Sequence, residues 1–103
     1  MASRKPGHTR LRVPDATADL IRGMHPQLKK RMRYALDAIL TDPASGKALQ
    51  DDLAGLRSYR LGRFRIICRI SSRGIVEIVA VGPRRSIYEA TYHIVRKHQD
   101  SRE

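Results

Sequence analysis

Three β-forming segments follow one another in the second half of the chain, and the connections between them are too short to join anything but antiparallel neighbours. We place these strands at residues 57–61, 63–71 and 74–82. Gly62 separates the first two strands and residues 72–74 separate the last two, whereas parallel pairing would need a crossover of about a dozen residues or more. Residues 75–81 are nearly continuous in β-branched side chains, which is typical of a central strand. The sequence therefore predicts a three-stranded antiparallel meander.

Helical periodicity marks the first half of the chain. Apolar residues between positions 26 and 41 recur at steps that place them on one face of an amphipathic helix. They are Leu28, Met32, Ala35, Leu36, Ile39 and Leu40. A shorter helix is predicted at residues 14–23, because Pro14 suits a first turn and Gly23 favours termination. The two helices, joined by a short turn, are expected to form a helical hairpin.

Two further elements complete the predicted order. Residues 8–13 alternate between apolar and polar and indicate a short strand, and the spacing from Ser86 to His98 predicts a C-terminal helix. Residues 47–55 are interpreted as a connecting segment after the breaker cluster at 42–46. The predicted fold is α+β: an N-terminal strand, a helical hairpin, a three-stranded antiparallel meander and a C-terminal helix, with the hairpin on one face of the sheet.

Length and composition indicate one folded domain. The 103 residues are 41% hydrophobic, and we place the domain at residues 8–98 between flexible ends at 1–7 and 99–103. A single cysteine excludes an internal disulfide framework. No apolar run approaches the roughly 20 residues that span a bilayer, and no signal-peptide core follows the basic N-terminus. We therefore expect a cytoplasmic protein that does not bind a membrane.

The charge of the chain is concentrated in its arginines. The net charge is +11, which predicts an acidic partner such as nucleic acid or an acidic protein. Between Leu53 and Tyr88 there are eight arginines, no lysine and one acid, Glu77. The arginines are Arg57, Arg60, Arg63, Arg65, Arg69, Arg73, Arg84 and Arg85. Because guanidinium groups suit phosphate, we interpret this region as a phosphodiester-binding surface; the alternative is a solubilising face.

Strand alternation predicts which of these arginines share a face. In the strand at 63–71, one face is predicted to hold Phe64, Ile66, Cys68 and Ile70, and the other Arg63, Arg65, Ile67 and Arg69. Arg60 can point to the open, arginine-bearing face, and Tyr88 follows Arg84 by one helical turn. Arginines can neutralise charge on phosphorus, and a tyrosine beside cations can act as a base. The set fits phosphoryl chemistry without a metal or other cofactor.

Three motifs in this order resemble the RelE/ParE superfamily of bacterial type II toxins. The first is a leucine-glycine stretch at residues 53–56, LAGL. The second is the hairpin motif at 59–67, YRLGRFRII, and the third is the valine-glycine and paired-arginine ending at 79–88, VAVGPRRSIY. The resemblance covers about residues 8–98 and includes the order of the elements.

The resemblance implies a function. RelE-like members are ribosome-dependent endoribonucleases that cut messenger RNA without a metal and thereby inhibit translation. In these toxins the ribose 2′-hydroxyl attacks the adjacent phosphate and leaves a 2′,3′-cyclic phosphate. ParE-like members share the fold but poison DNA gyrase. Both kinds are neutralised by a cognate antitoxin, so the implied partners are an acidic antitoxin and messenger RNA on the ribosome, with contacts to ribosomal RNA.

Matched by position, the resemblance assigns roles to individual residues. Arg65 would stabilise the scissile phosphate, Arg84 the transition state, and Tyr88 would be the general base. Arg60 lies where a basic residue holds phosphate or protonates the leaving oxygen. Further residues expected to bind RNA or phosphate are Arg57, Arg63, Arg69, Arg85, Lys29, Lys30 and Arg33.

The sequence also departs from the RelE-like pattern at two places. Residues 57–60 contain no lysine, and Pro83 stands where many relatives carry a histidine before the paired arginines. Both changes remove groups that transfer protons. They leave open two alternatives to the nuclease: a ParE-like gyrase inhibitor without catalytic activity, and a non-toxic member that binds antitoxin or nucleic acid.

Overall fold

The computed structural model of the chain describes residues 10–101. Its elements are β1 (Arg10–Arg12), α1 (Asp15–Arg22), α2 (Pro26–Thr41), β2 (Lys47–Ala48), β3 (Leu56–Leu61), β4 (Phe64–Ile70), β5 (Ile75–Pro83) and α3 (Arg84–Ser101). This order confirms the predicted α+β class and places α2 at the predicted residues. The predicted flexible ends and the first residues of the N-terminal strand lie wholly or partly outside the described range, so those expectations remain predictions.

The strands form one sheet in the order β1-β5-β4-β3-β2. β3, β4 and β5 pair antiparallel, which confirms the meander, and β1 pairs parallel to β5. The segment interpreted as a connection at 47–55 instead contributes β2, which pairs antiparallel with β3. A strand of two residues carries too little periodicity to be recognised in a sequence.

The β3–β4 hairpin turns on Gly62, whose φ of +59° is a left-handed conformation that favours glycine. Leu61 and Phe64 are directly opposite each other, so only Gly62 and Arg63 form the connection. A two-residue connection with a positive φ at its first position matches the twist of the flanking strands. The turn therefore presents Arg63 at the tip of the hairpin.

Both faces of the sheet are covered by helices. On one face α1 and α2 pack over Ile66 and Cys68, as the predicted strand alternation requires. On the other face α3 packs over Ile67, which is fully buried and shares a buried cluster with Ile87. The expectation that the arginine-bearing face is open is therefore wrong for the part that α3 covers. Burial of apolar area on each face makes the C-terminal helix part of the core.

Candidate functional site

A cavity of about 730 Å³ opens where the β3–β4 hairpin meets the start of α3. Its lining residues are Arg60, Gly62, Arg63, Arg65, Pro83, Arg84 and Arg85. Five of these seven residues are arginines and none is acidic. Clustered guanidinium groups repel one another unless an anion lies between them, so the cavity is suited to a phosphate-bearing ligand.

The backbone explains why these arginines converge. Arg60 and Arg65 are direct cross-strand partners in the β3–β4 pair, and Arg65 is also opposite Gly82 in β5. The amide of Arg84 donates a hydrogen bond of 3.0 Å to the carbonyl oxygen of Arg63, which attaches the start of α3 to the hairpin tip. The cavity is therefore built from three strands and one helix that are held together by backbone contacts.

Tyr88 is not among the residues that line this cavity. This tyrosine of α3 is half-buried and packs against the cluster between α3 and the sheet. Its hydroxyl shares a hydrogen bond of 3.1 Å with Oγ of Ser58. Ser58 precedes Arg60 by two residues on β3, a separation of about 7 Å along a strand. The tyrosine hydroxyl is therefore attached to the same strand that carries Arg60.

Other candidate residues lie apart from the cavity. Arg69 is at the far end of β4, where its guanidinium is 3.6 Å from the carboxylate of Glu77 on β5. Lys29, Lys30 and Arg33 are on the first half of α2, where they line a separate surface depression with Pro26 and Tyr34. Nothing in the described residues brings this α2 surface into the arginine cavity.

Arg57 is engaged in the fold. Its Nη1 donates hydrogen bonds to the carbonyl oxygens of Gly46, at 2.6 Å, and Ala44, at 3.3 Å. Next to it, the hydroxyl of Tyr59 donates to the carbonyl oxygen of Pro43. Together these side chains attach the turn after α2 to β3.

Replacing Arg57 with alanine is expected to lower the free energy of unfolding by about 1–2 kcal/mol, because two backbone carbonyls lose a charged donor. Urea unfolding followed by circular dichroism measures this change. The matched control is Arg73→Ala in the β4–β5 turn, where the side chain is exposed and only the backbone amide bonds to Ser71. Equal unfolding midpoints for the two variants would contradict this structural role for Arg57.

Arg31 is a neighbour of the cavity that sequence reasoning did not select. Its guanidinium lies against the hairpin turn, so a Cβ atom placed on Gly62 would be 3.2 Å from one of its nitrogens. In the sequence Arg31 stands among Lys29, Lys30 and Arg33, a pattern that is typical of a solvated helix face. The contact between Arg31 and Gly62 depends on the direction in which α2 crosses the sheet. The apolar spacing of the helix does not indicate that direction.

The Cys68 thiol and the Tyr59 hydroxyl could act as a nucleophile or a base elsewhere, but both are buried here. Burial raises the pKa of the Cys68 thiol to about 12, so the residue stays protonated at neutral pH and acts as a small apolar side chain. Burial likewise raises the pKa of Tyr59 to about 12. Within residues 10–101, no group of three or more histidine, cysteine or acidic side chains is arranged to hold a metal ion.

Known structures share this fold. The toxin–antitoxin complex RelBE2 from Mycobacterium tuberculosis aligns with a TM-score of 0.65 at 25% identity, covering 74% of this chain and 98% of that one. A mutant of the Escherichia coli toxin RelE in the free state aligns with a TM-score of 0.70 at 13% identity, covering 87% and 96%. The archaeal RelE–RelB complex from Pyrococcus horikoshii OT3 aligns with a TM-score of 0.63 at 17% identity, covering 75% and 96%. The architecture is therefore that of a RelE-like toxin.

The family follows from the sequence comparison. Residues 13–88 match the family model described as the ParE toxin of the type II toxin-antitoxin system parDE. The chain therefore belongs to the ParE toxin family, within the RelE/ParE superfamily that its motifs resemble, and is a toxin of a type II toxin–antitoxin system. A search of curated protein sequences finds no match. None of the helices described here is long and apolar enough to cross a membrane.

Proposed function

We propose that this toxin is a metal-independent endoribonuclease that cuts messenger RNA on the ribosome and so inhibits translation. The observation that carries the proposal is the cavity with five arginines and no acid. Cleavage through the 2′-hydroxyl develops negative charge on the phosphate oxygens, and fixed guanidinium groups stabilise that charge most strongly where it develops.

In the proposed reaction Arg65 and Arg84 hold the scissile phosphate, and Arg60 binds the same phosphate from the facing strand. Tyr88, as its phenolate, accepts the proton of the attacking 2′-hydroxyl, and Ser58 is its hydrogen-bond partner. The bond from phosphorus to the 5′-oxygen breaks as the 2′-oxygen bond forms. The leaving oxygen takes a proton from water, because guanidinium groups are poor proton donors. The hydroxide that remains takes the proton back from Tyr88.

We propose further that the partner of the folded toxin is an acidic antitoxin in the cytoplasm. The structures of RelBE2 and of the archaeal RelE–RelB pair are complexes of a toxin with its antitoxin. The net charge of +11 on this chain favours an acidic partner, and such association weakens with added salt. Contacts to ribosomal RNA are proposed for Lys29, Lys30 and Arg33, which form a basic surface on α2.

Inhibition of DNA gyrase without catalysis is a second candidate, and two observations favour it. The matching family model is that of ParE. The cavity also lacks lysine and histidine, so it offers few groups that transfer protons. An inhibitor that only binds gyrase needs the charged surface of the cavity but no group that transfers protons.

Tyr88→Phe separates the two candidates. On the nuclease mechanism the variant is expected to lose messenger RNA cleavage by about 100-fold or more, because the proton acceptor is removed while the ring remains in the core. Primer extension on messenger RNA from cells, shortly after induction, measures the cuts. Arg84→Ala serves as the parallel loss-of-site variant, and the unsubstituted chain as the reference.

Each outcome has a clear meaning. Cuts within ribosome-bound coding sequence that disappear in both variants would support the nuclease. Growth arrest with intact messenger RNA, blocked supercoiling and unchanged toxicity of Tyr88→Phe would instead assign gyrase as the target. Normal growth with intact messenger RNA would reject both and leave a member that only binds antitoxin or nucleic acid.

A further inference from the structure

A second cavity adjoins the arginine cavity. It has a volume of about 330 Å³ and lies between α2 and the outer edge of β3. Ala35, Ala38 and Ile39 form its helix wall, and Lys47 on β2 also lines it. Arg60 and Arg65 line both cavities. A ligand whose phosphate is held by these two arginines therefore has a direct path from one cavity into the other.

The β3 edge of this second cavity carries open backbone groups. The amide of Leu49 donates to the carbonyl oxygen of Leu56, so the backbone groups of Leu56 point toward β2. Because this direction alternates along a strand, the N–H and C=O of Arg60 point the same way. β2 begins at Lys47, which is opposite Ser58. In the described part of the chain, no strand lies opposite Arg60 on that side.

The composition of the walls suggests the class of ligand. One wall is apolar and comes from a helix, which suits a flat, weakly polar group. The facing edge offers an N–H donor and a C=O acceptor side by side, which suits the edge of a nucleobase. Arg60, Arg65 and Lys47 supply cations for the phosphates on either side. Unstacked bases of single-stranded RNA are bound by such mixed surfaces.

We propose that the second cavity is a subsite for one unstacked nucleotide of single-stranded RNA, next to the phosphate that Arg60 and Arg65 hold. The inference rests on the proposed RNA substrate and adds where the neighbouring base lies. Ala38 is the residue best placed to test it, because its side chain is exposed on α2 and faces the cavity without belonging to the core. A larger side chain there fills the subsite and leaves the arginine cavity intact.

The test compares two probes on the full chain. One is a fluorescein-labelled 2′-O-methyl hexaribonucleotide, which cannot be cut. The other is tripolyphosphate, which carries negative phosphate groups as RNA does but has no base. Ala38→Met is expected to raise the Kd for the hexanucleotide about ten-fold or more and to leave the Kd for tripolyphosphate unchanged. Ala90→Met is the matched control on an exposed position of α3 that lines neither cavity. It should change neither Kd.

The results distinguish this inference from the nuclease proposal. Unchanged hexanucleotide binding by Ala38→Met, or equal weakening of both probes, overturns the subsite even when cells expressing the unsubstituted chain show cut messenger RNA. Selective weakening with uncut messenger RNA supports the subsite and rejects cleavage. If Ala38→Met does not fold, Lys47→Gln on β2 takes its place. Lys47→Gln should raise the Kd for the hexanucleotide about three-fold and leave the Kd for tripolyphosphate unchanged. An equal fold-change in both Kd values overturns the inference.

Discussion

Replacing Arg65 with alanine is expected to lower the rate of messenger RNA cleavage by about 100- to 1,000-fold, the usual effect of removing one preorganised donor from a developing anion. Arg65 is half-buried, whereas Arg60, Arg63, Arg84 and Arg85 are exposed. Arg65 lines both cavities, and its backbone is fixed between β3 and β5. Among the arginines of the cavity it is therefore the one whose position is held most firmly before substrate binds.

Two further variants make the Arg65 prediction specific. Arg65→Lys keeps the charge but loses the planar fork, so cleavage should fall to an intermediate level. Arg73→Ala removes the same charge from the exposed β4–β5 turn and should cleave like the unsubstituted chain. The rates are compared by primer extension at equal toxin levels. Similar losses for Arg65→Ala and Arg73→Ala would mean that only net charge matters, and the proposed role of the cavity would then be abandoned.

The fold could be predicted from the sequence where the decisive signals are local. The connection at Gly62 is too short for any pairing but a hairpin, and the apolar spacing from 26 to 41 specifies α2 with its bounds. The structure adds the register: the turn consists of Gly62 and Arg63, not of Gly62 alone as predicted, and it places Arg60 opposite Arg65. That part of the candidate site is therefore a consequence of the hairpin.

The remaining parts of the site depend on long-range packing. A register irregularity between Ile67 and Cys68 in the β4–β5 pair places Ala80 on the α3 face, although Ile78 lies on the other. Strict alternation cannot anticipate such a bulge. Likewise, no spacing in the sequence indicates that Arg57 bonds to the turn after α2 or that Arg31 reaches Gly62. These contacts are set by how the helices cross the sheet.

Replacing Ile67 with alanine is expected to lower the free energy of unfolding by about 2–5 kcal/mol, a large share of the roughly 5–15 kcal/mol that stabilises a domain. Ile67 is fully buried between the sheet and α3, where it belongs to the same cluster as Leu56, Ala80 and Ile87. The substitution removes apolar contacts and leaves a cavity under the helix. Urea unfolding measures the loss, and Ile67→Val should cost only about 0.5–1.5 kcal/mol.

Ile66→Ala is the matched control, because Ile66 is equally buried but packs against α1 and α2 on the other face. Both alanine variants should lose similar global stability. Only Ile67→Ala should selectively speed amide hydrogen exchange in α3, since a helix that loses its packing partner opens locally before the domain unfolds. Equal exchange in α3 for the two variants would contradict this. Because α3 carries Arg84, Arg85 and Tyr88, loosening this helix should also lower cleavage by more than the folded fraction alone explains.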